Sequence, residues 1–199
     1  MSRRAGRRAP EADRATSRVE SDGQHRGGRP GDGAVADKDG PDPELVAPCG
    51  MNCGICSGYL AMRNDVRAKG LRMPYCKGCR PRDKRCAFLK KRCDILLEGK
   101  VEFCHECAGF PCKNLQQLDE RYRKLFRMSM VENLRCIKDE GIETFLVEQA
   151  ERWRCPECGG TVCCHNGVCF ACGLERLRKR ERGRLYRWDQ GGKASGAQR

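Results

Sequence analysis

Five C-x2-C pairs constrain this chain more than any other feature of its sequence. They stand at Cys53/Cys56, Cys76/Cys79, Cys104/Cys107, Cys155/Cys158 and Cys169/Cys172. At this spacing two thiolates can reach one metal ion from a single tight turn, and two such turns complete a tetrahedral four-sulfur site with no open position. The pairs therefore predict metal-stabilised units.

The composition agrees, because apolar residues are too few for a large core. Of 199 residues, 39% are of hydrophobic type, and that figure includes seventeen cysteines. Small domains short of core usually rely on disulfides or metals. The first residues hold no apolar run of the length of a secretory signal, and no stretch is long enough to span a membrane. We therefore expect a cytoplasmic location without membrane contact, where thiols stay reduced and clustered cysteines bind metal.

The chain divides into five segments by composition. Residues 1–43 are rich in Gly, Arg, Asp and Pro without apolar periodicity, which predicts a disordered leader. The following segments are a cysteine-rich metal-binding domain at 44–113, a helical segment packing on it at 114–153, a zinc ribbon at 154–174, and a basic tail at 175–199 that is partly helical and then disordered. The expected fold class is small cysteine-rich α+β, with a metal-stabilised, mostly helical domain followed by a C-terminal zinc ribbon with short strands.

Apolar periodicity predicts three packed helices between the cysteine-rich parts. The first begins near Asn114 and carries Leu115, Leu118, Tyr122, Leu125 and Phe126 on one face. The second follows Ser129 and stops at Gly141, with Val131, Leu134 and Ile137 inward. The third carries Ile142, Phe145, Leu146 and Gln149 and ends near Trp153. Shorter helical patterns cover 59–69, 88–97 and about 174–186.

The clearest predicted metal site combines Cys155 and Cys158 with Cys169 and Cys172. A glycine after the second cysteine of each pair permits the backbone to turn back under the ion. Between the pairs, Cys163, Cys164 and His165 can replace one ligand or stay outside the site; the spacing leaves both alternatives open.

Ten further cysteines between 49 and 112 predict one or two more sites. Cys53, Cys56, Cys76 and Cys79 form the second, with a separation typical of treble-clef and ribbon-like sites. A third uses Cys104 and Cys107 with Cys93 and Cys112, and Cys49 and Cys86 compete for these places. Cys136 stands alone on a predicted helix, where a small buried hydrophobe is expected rather than a ligand.

The cysteines between 49 and 112, here called the cysteine string, follow a pattern that resembles the one of a known family. It reads Pro-Cys-Gly-Met-Asn-Cys-Gly-Ile-Cys at 48–56 with Tyr59, Cys-Lys-Gly-Cys at 76–79, Cys86 to Cys93, and Cys-His-Glu-Cys-Ala-Gly-Phe-Pro-Cys at 104–112. This pattern, over about 47–118, is similar to the cysteine-rich prokaryotic family called domain of unknown function 3795. The resemblance implies metal binding and no established activity, with the ribbon as an appended module.

Two to three Zn²⁺ ions are the expected cofactors, and a [4Fe–4S] cluster is the alternative because four cysteines can ligate either. The alternative implies electron transfer or redox sensing. Two C-x2-C pairs separated as they are in zinc ribbons favour zinc over the cluster. The Cys49-x3-Cys53-x2-Cys56 spacing of radical S-adenosylmethionine enzymes also occurs, but the chain lacks the strand and helix alternation of their barrel.

Nothing in the sequence points to a small-molecule substrate, and a non-enzymatic role is favoured. No phosphate-cradling loop or dinucleotide fingerprint is present, and His105 and His165 lie within cysteine knuckles. The net charge of +13 instead suggests an interaction module with a protein or nucleic-acid partner. Candidate phosphate contacts are Arg176, Arg178, Lys179, Arg180, Arg182, Arg184 and Arg187.

Overall fold

A computed structural model describes residues 41–82, 89 and 92–180, and every element below lies in these ranges. The α-helices are α1 (Ser57–Arg63), α2 (Asp94–Leu97), α3 (Lys113–Phe126), α4 (Met130–Glu140), α5 (Ile142–Arg152) and α6 (Leu174–Arg178). Single 3₁₀ turns lie at Pro43–Leu45, Cys53–Ile55 and Cys104–Glu106. The described chain is mostly helical and rich in cysteine, as the sequence predicts.

The three helices predicted between the cysteine-rich parts are confirmed as α3, α4 and α5. Ser129 caps α4 by accepting a hydrogen bond from the Glu132 N–H, and Gly141 ends it with a φ of 91°. Ser is a preferred N-cap and glycine a preferred helix stop, so local chemistry explains both ends. The assignment of Leu125 to the buried face is wrong, because its side chain is 39% exposed.

A buried carboxylate ties α3 to the start of α4. Asp119 Oδ1 accepts hydrogen bonds from the Ser129 hydroxyl at 2.6 Å and from the Val131 N–H at 3.0 Å. Its Oδ2 accepts from Arg123 Nε at 2.7 Å. Burial acts to raise the pKa of Asp119, but these donors outweigh it and the pKa falls below its usual range.

Most of the apolar core lies among α3, α4, α5 and the segment before α1. The largest side chains wholly inside it are Leu115, Met130, Leu134, Phe145 and Trp153, with Val46 from the N-terminal side. Asn133 Nδ2 donates a 2.8 Å hydrogen bond to the Gly50 carbonyl oxygen, which fixes the first cysteine segment on α4. The helices α3, α4 and α5 therefore pack on the described part of the cysteine-rich segment 44–113, here called the cysteine-rich half.

A second, smaller core joins α1 and the loop after it to the C-terminal cysteine segment. Its buried members are Leu60, Ala61, Val66, Leu71, Met73, Cys163, Val168, Phe170 and Leu177. These residues come from two stretches that are at least ninety positions apart in sequence. The C-terminal cysteine segment and α6 therefore pack against α1 and the loop after it.

The shorter predicted helices are only partly present. The helix predicted over 59–69 ends at Arg63, where Asn64 Nδ2 donates to the Leu60 carbonyl oxygen and Asp65 has a φ of 42°. Of the helix predicted over 88–97, the described residues form only the part called α2. Residues 83–88 and 90–91 lie outside the described residues. The tail helix predicted to 186 is described as α6, and residues from 181 onward lie outside the description.

Strands expected in the C-terminal segment are replaced, in the described residues, by isolated antiparallel bridges. Arg154 pairs with Thr161, and Val162 pairs with Cys169. The extended chain beside these bridges is interrupted by two turns, which are closed by hydrogen bonds from the Gly159 N–H to the Cys155 carbonyl oxygen and from the Gly167 N–H to that of Cys163. Of the predicted leader 1–43, residues 1–40 lie outside the description, whereas Asp42 caps the first 3₁₀ turn by accepting from the Glu44 N–H.

No helix in the described ranges has the length and apolar character needed to cross a bilayer.

Candidate metal centres

Four cysteines of the C-terminal segment form the best defined candidate metal centre, here called the four-cysteine site. Its ligand atoms, from Cys155, Cys158, Cys169 and Cys172, all lie within 4.8 Å of one another. The Sγ atoms of Cys155 and Cys172 are 3.6 Å apart, as are those of Cys158 and Cys169. This geometry can hold a metal ion, and the residues are the four that the spacing predicts.

Two tight turns position these sulfurs. In the first, the Gly159 N–H donates to the Cys155 carbonyl oxygen at 2.9 Å, and in the second the Gly173 N–H donates to that of Cys169 at 2.8 Å. A Cβ at residue 173 would lie 2.5 Å from the Cys169 carbonyl oxygen and 2.7 Å from a Val168 methyl carbon. Glycine after the second cysteine is therefore a steric requirement of the second turn.

The backbone of the first turn also favours a thiolate. Burial acts to raise the pKa of the Cys155 thiol, but N–H groups of Cys158 and Glu157 donate to its sulfur and its pKa is lowered. Burial raises the pKa of Cys169 and of Cys172. Four closely packed sulfurs repel one another once ionised, so a bound cation is the natural compensation for their charge.

Cys163, Cys164 and His165 lie apart from the four-cysteine site. Cys163 and Cys164 are wholly buried, the former in the second core and the latter in the first. The Cys164 N–H donates to the Ile55 carbonyl oxygen at 3.0 Å, beside the Cys53/Cys56 turn. Burial raises the pKa of the Cys163 thiol to about 12. The loop thus packs against the N-terminal half, and the close group of four sulfurs forms without it.

Both ring nitrogens of His165 face protein groups. Nδ1 accepts from the Ser57 N–H at 3.2 Å, and Nε2 lies 3.5 Å from the Tyr122 hydroxyl. The ring also meets Phe126 edge-on, with centroids 4.7 Å apart. Burial lowers the pKa of His165 to about 4, so the ring is neutral at pH 7. These contacts favour a packing role over metal ligation.

The Cys53/Cys56 and Cys76/Cys79 pairs meet in the cysteine-rich half. The Cys79 N–H donates to Cys53 Sγ at 3.3 Å, and the Cys76 N–H donates to the Gly58 carbonyl oxygen at 3.0 Å. The pKa of Cys56 rises to about 11, first through burial and then through the charges of Cys53 and Cys76. The two pairs are therefore neighbours, but their four sulfurs do not lie within 4.8 Å of one another as those of the four-cysteine site do, so their combination into one metal site stays a prediction.

A further group surrounds Cys104. Its pKa is raised first by burial and then by neighbouring thiolates, which belong to Cys49, Cys112, Cys93 and Cys107. The Cys104 N–H also donates to the Pro48 carbonyl oxygen at 2.9 Å, which brings the start of the cysteine string to this turn. Cys49 therefore lies with the Cys104/Cys107 pair, a placement that the spacing leaves open. Cys86, its predicted competitor, is outside the described residues.

Cys136 is half-buried, and the prediction that it is a small buried hydrophobe is incomplete. Its Sγ lies 3.6 Å from Glu148 Oε2, and burial together with this carboxylate raises its pKa to about 11. Ligand atoms of Cys136, Glu140 and Glu148 lie within 4.8 Å of one another. The i, i+4 spacing of the first two is a sequence signal for this group, but exposed carboxylates commonly cluster without a metal.

Sequence reasoning also missed the groups that contact the candidate metal ligands. Arg82 Nη1 lies 3.2 Å from Cys76 Sγ, and Glu157 Oε2 lies 3.5 Å from Cys172 Sγ. The Arg82 contact depends on how the chain returns after Cys79, which no short motif encodes. Such groups orient ligands and tune their basicity.

The candidate phosphate contacts fall into two sets. Arg176 and Arg178 lie on α6, and Lys179 and Arg180 follow it directly. Arg178 pairs with Glu175, and its Nη2 donates a 3.0 Å hydrogen bond to the Lys69 carbonyl oxygen. The others, Arg182, Arg184 and Arg187, lie outside the described residues.

Comparison with known proteins supports the resemblance inferred from the cysteine string. The model of a family described as "Protein of unknown function (DUF3795)" matches residues 45–117, which include all ten cysteines of that string. The match covers less than half of the chain, and the four-cysteine site lies beyond it. No curated protein and no solved structure matches the chain.

Proposed function

We propose that this chain is a non-catalytic, zinc-binding interaction module in which a Zn²⁺ ion at the four-cysteine site holds the C-terminal segment in its fold. One observation carries the proposal, namely the approach of two pairs of Sγ atoms to 3.6 Å. Four thiolates about 2.3 Å from one tetrahedral ion lie roughly 3.8 Å apart. The donor set thus fits a single ion bound by four sulfurs.

The same spacing supports zinc over a cluster at this site. In a [4Fe–4S] cluster each thiolate binds a different iron, so the ligating sulfurs stand farther apart than they do around one ion. The two knuckle turns, with backbone N–H groups of Cys158 and Glu157 directed at Cys155 Sγ, also suit a closed structural site.

A closed four-sulfur site supplies a cross-link and no open position for substrate. Bound zinc would join the turn after Arg154 to the turn before α6; Val168 precedes the second turn, Phe170 lies within it, and both belong to the second core. The ion's binding free energy would then contribute directly to folding of this segment. A stapled surface of this kind serves as a platform for a partner.

The two cysteine groups of the N-terminal half set the expected metal content. One contains Cys53, Cys56, Cys76 and Cys79, and the other contains Cys104 and its neighbours; both are more open than the four-cysteine site. With the four-cysteine site they allow two to three ions per chain. With its four neighbours, Cys104 belongs to a group of five thiols, one more than a tetrahedral ion needs, so we expect one of them to remain unligated.

Elemental analysis combined with absorption spectroscopy tests the metal assignment. Protein purified with and without air should contain two to three zinc ions per chain and be colourless. Cys155→Ser should lose about one equivalent, whereas Cys136→Ser should lose none. A brown anaerobic preparation with iron, acid-labile sulfide and a broad band near roughly 400 nm would overturn the assignment in favour of the iron–sulfur alternative.

A further inference from the structure

Two segments that are distant in sequence form one basic surface. Its side chains are Arg67, Lys69 and Arg72 from the loop after α1, and Arg176, Arg178 and Lys179 from α6 and the residue after it. All six are exposed. The loop residues are not among the phosphate contacts proposed from sequence, because neither segment alone shows that they share a surface with α6.

The contact between the two segments is specific. Leu177 of α6 is completely buried in the second core, which also contains Leu71 and Met73 from the loop. Arg178 Nη2 donates a 3.0 Å hydrogen bond to the Lys69 carbonyl oxygen. An apolar anchor and a polar contact therefore hold α6 against the loop.

The loop forms a groove within this surface. A cavity of about 690 Å³ is lined by Arg67, Gly70, Leu71, Arg72, Met73 and Pro74. Arg67 Nε donates to the Met73 carbonyl oxygen at 2.9 Å, and its guanidinium lies 4.3 Å over the Tyr75 ring. Arg67 is thus held in place along one wall, while Arg72 is exposed beside it.

The neighbouring acidic groups are already engaged. Asp65 accepts a 2.7 Å hydrogen bond from the Tyr75 hydroxyl, and Glu175 pairs with Arg178. Six exposed basic side chains outnumber these two carboxylates, so the surface keeps an excess of positive charge although Arg178 is paired with Glu175. Such a surface attracts polyanions.

We propose that this basic surface binds the phosphate backbone of single-stranded nucleic acid. Arg67 and Arg72 line the groove, and Arg176 and Arg178 lie on α6 next to this loop. Arginines placed in this way match a chain of phosphates, because guanidinium groups bind phosphate oxygens in bidentate fashion. A lipid surface fits less well, since membrane-surface elements need apolar anchors. The large apolar side chains exposed in the described ranges are Ile95, Leu97, Leu125 and Val147, all outside this surface.

The inference names the partner of the proposed interaction module and rests on that function, because α6 directly follows the four-cysteine site. Metal binding and nucleic-acid binding can nevertheless fail separately. The basic residues at issue are not cysteines, and their exposed side chains can be reversed in charge while the zinc ligands stay intact.

Fluorescence anisotropy of the full chain with a short labelled single-stranded RNA, at several salt concentrations, tests the surface. The variant R72E/R176E changes both segments, and the control R121E/R135E makes the same charge change at exposed positions of α3 and α4. We expect the first to weaken binding at least about tenfold and to lower the salt slope by roughly 1.4, at about 0.7 per lost phosphate contact. The control should bind more like the wild type.

Zinc content and thermal unfolding are measured for every variant. If R72E/R176E does not fold, R72Q/R176Q, which removes the two charges without reversing them, takes its place. Equal losses of RNA affinity in R72E/R176E and in the control R121E/R135E would overturn the proposal. Absence of RNA binding by the wild type at low salt would also overturn it. Binding to anionic vesicles but not to RNA would also overturn it. A chain truncated after Arg180 should keep measurable binding that R72E/R176E weakens; loss of all binding on truncation would assign the contacts to 181–199 instead.

Discussion

The imidazole of His165 accepts a 3.2 Å hydrogen bond at Nδ1 from the backbone N–H of Ser57, 108 residues earlier in the chain. Ser57 begins α1 directly after the Cys53/Cys56 turn, and His165 lies between the two pairs of the four-cysteine site. This bond therefore connects the cysteine-rich half to the C-terminal segment at a half-buried position.

His165→Phe should destabilise the protein by about 1–3 kcal/mol, because the ring still fills the space but the Ser57 N–H loses its acceptor. Urea denaturation measures the change. His165→Gln, which can return an acceptor oxygen to the site, should recover part of the loss. Identical stabilities for the phenylalanine variant and the wild type would show that the bond contributes nothing.

Cys155→Ser should loosen residues 155–172 while α3, α4 and α5 keep their protection from hydrogen exchange. The reason is that metal binding supplies folding free energy to this segment, whereas the helices are held by the first core. Cys136→Ser is the matched control and should leave protection in 155–172 as it is. Unchanged protection there in Cys155→Ser would contradict a stabilising metal at the four-cysteine site.

Asp119→Asn should cost about 2 kcal/mol at pH 7, because a buried charged acceptor loses strength towards Ser129 and Arg123. The folded-state pKa of Asp119 is lowered, so its contribution is fully present above the ordinary carboxyl pKa of about 3.9 and is lost as pH falls through the lower folded value.

Denaturation of wild type and Asp119→Asn across pH 7 to about 3 checks this dependence. The difference between them should stay constant in the upper part of the range and shrink below about pH 4. Glu120→Gln, at an exposed neighbouring position, should show no such difference. A gap that does not change with pH would contradict the role of the ionised carboxylate.

Gly50→Ala should be more destabilising than Gly99→Ala. Both glycines have positive φ, 80° and 69°, so each substitution carries a backbone cost of about 1–2 kcal/mol. A Cβ at residue 50 would in addition lie 2.8 Å from Leu134 Cγ and 2.9 Å from the Met130 carbonyl oxygen, whereas one at residue 99 meets nothing within 4 Å. Overpacking should add about 1–3 kcal/mol.

Thermal unfolding of the two alanine variants measures this difference. Equal melting temperatures would show that the close approach between residue 50 and α4 is relieved without cost.

Features encoded by neighbouring residues could be predicted from sequence alone. The bounds of α4 follow from a serine cap and a glycine stop, and the buried face of α3 follows from apolar spacing, with Leu125 as the exception. The four-cysteine site is of the same kind, because all its ligands fall between residues 155 and 172 and the knuckle turns set their geometry. Short-range backbone chemistry is sufficient in these cases.

Tertiary structure decided which distant groups share a site. The placement of Cys49 near Cys104, of Cys164 beside the Cys53/Cys56 turn, and of the loop at 67–72 beside α6 depends on contacts across 55 to more than 100 residues. Identical thiols compete for such positions, and their spacing does not rank the combinations. Burial of Leu177 and Phe170 in the second core fixes the return of the C-terminal segment to the loop at 67–72, whereas Cys49, Cys104 and Cys164 are placed by packing in the first core.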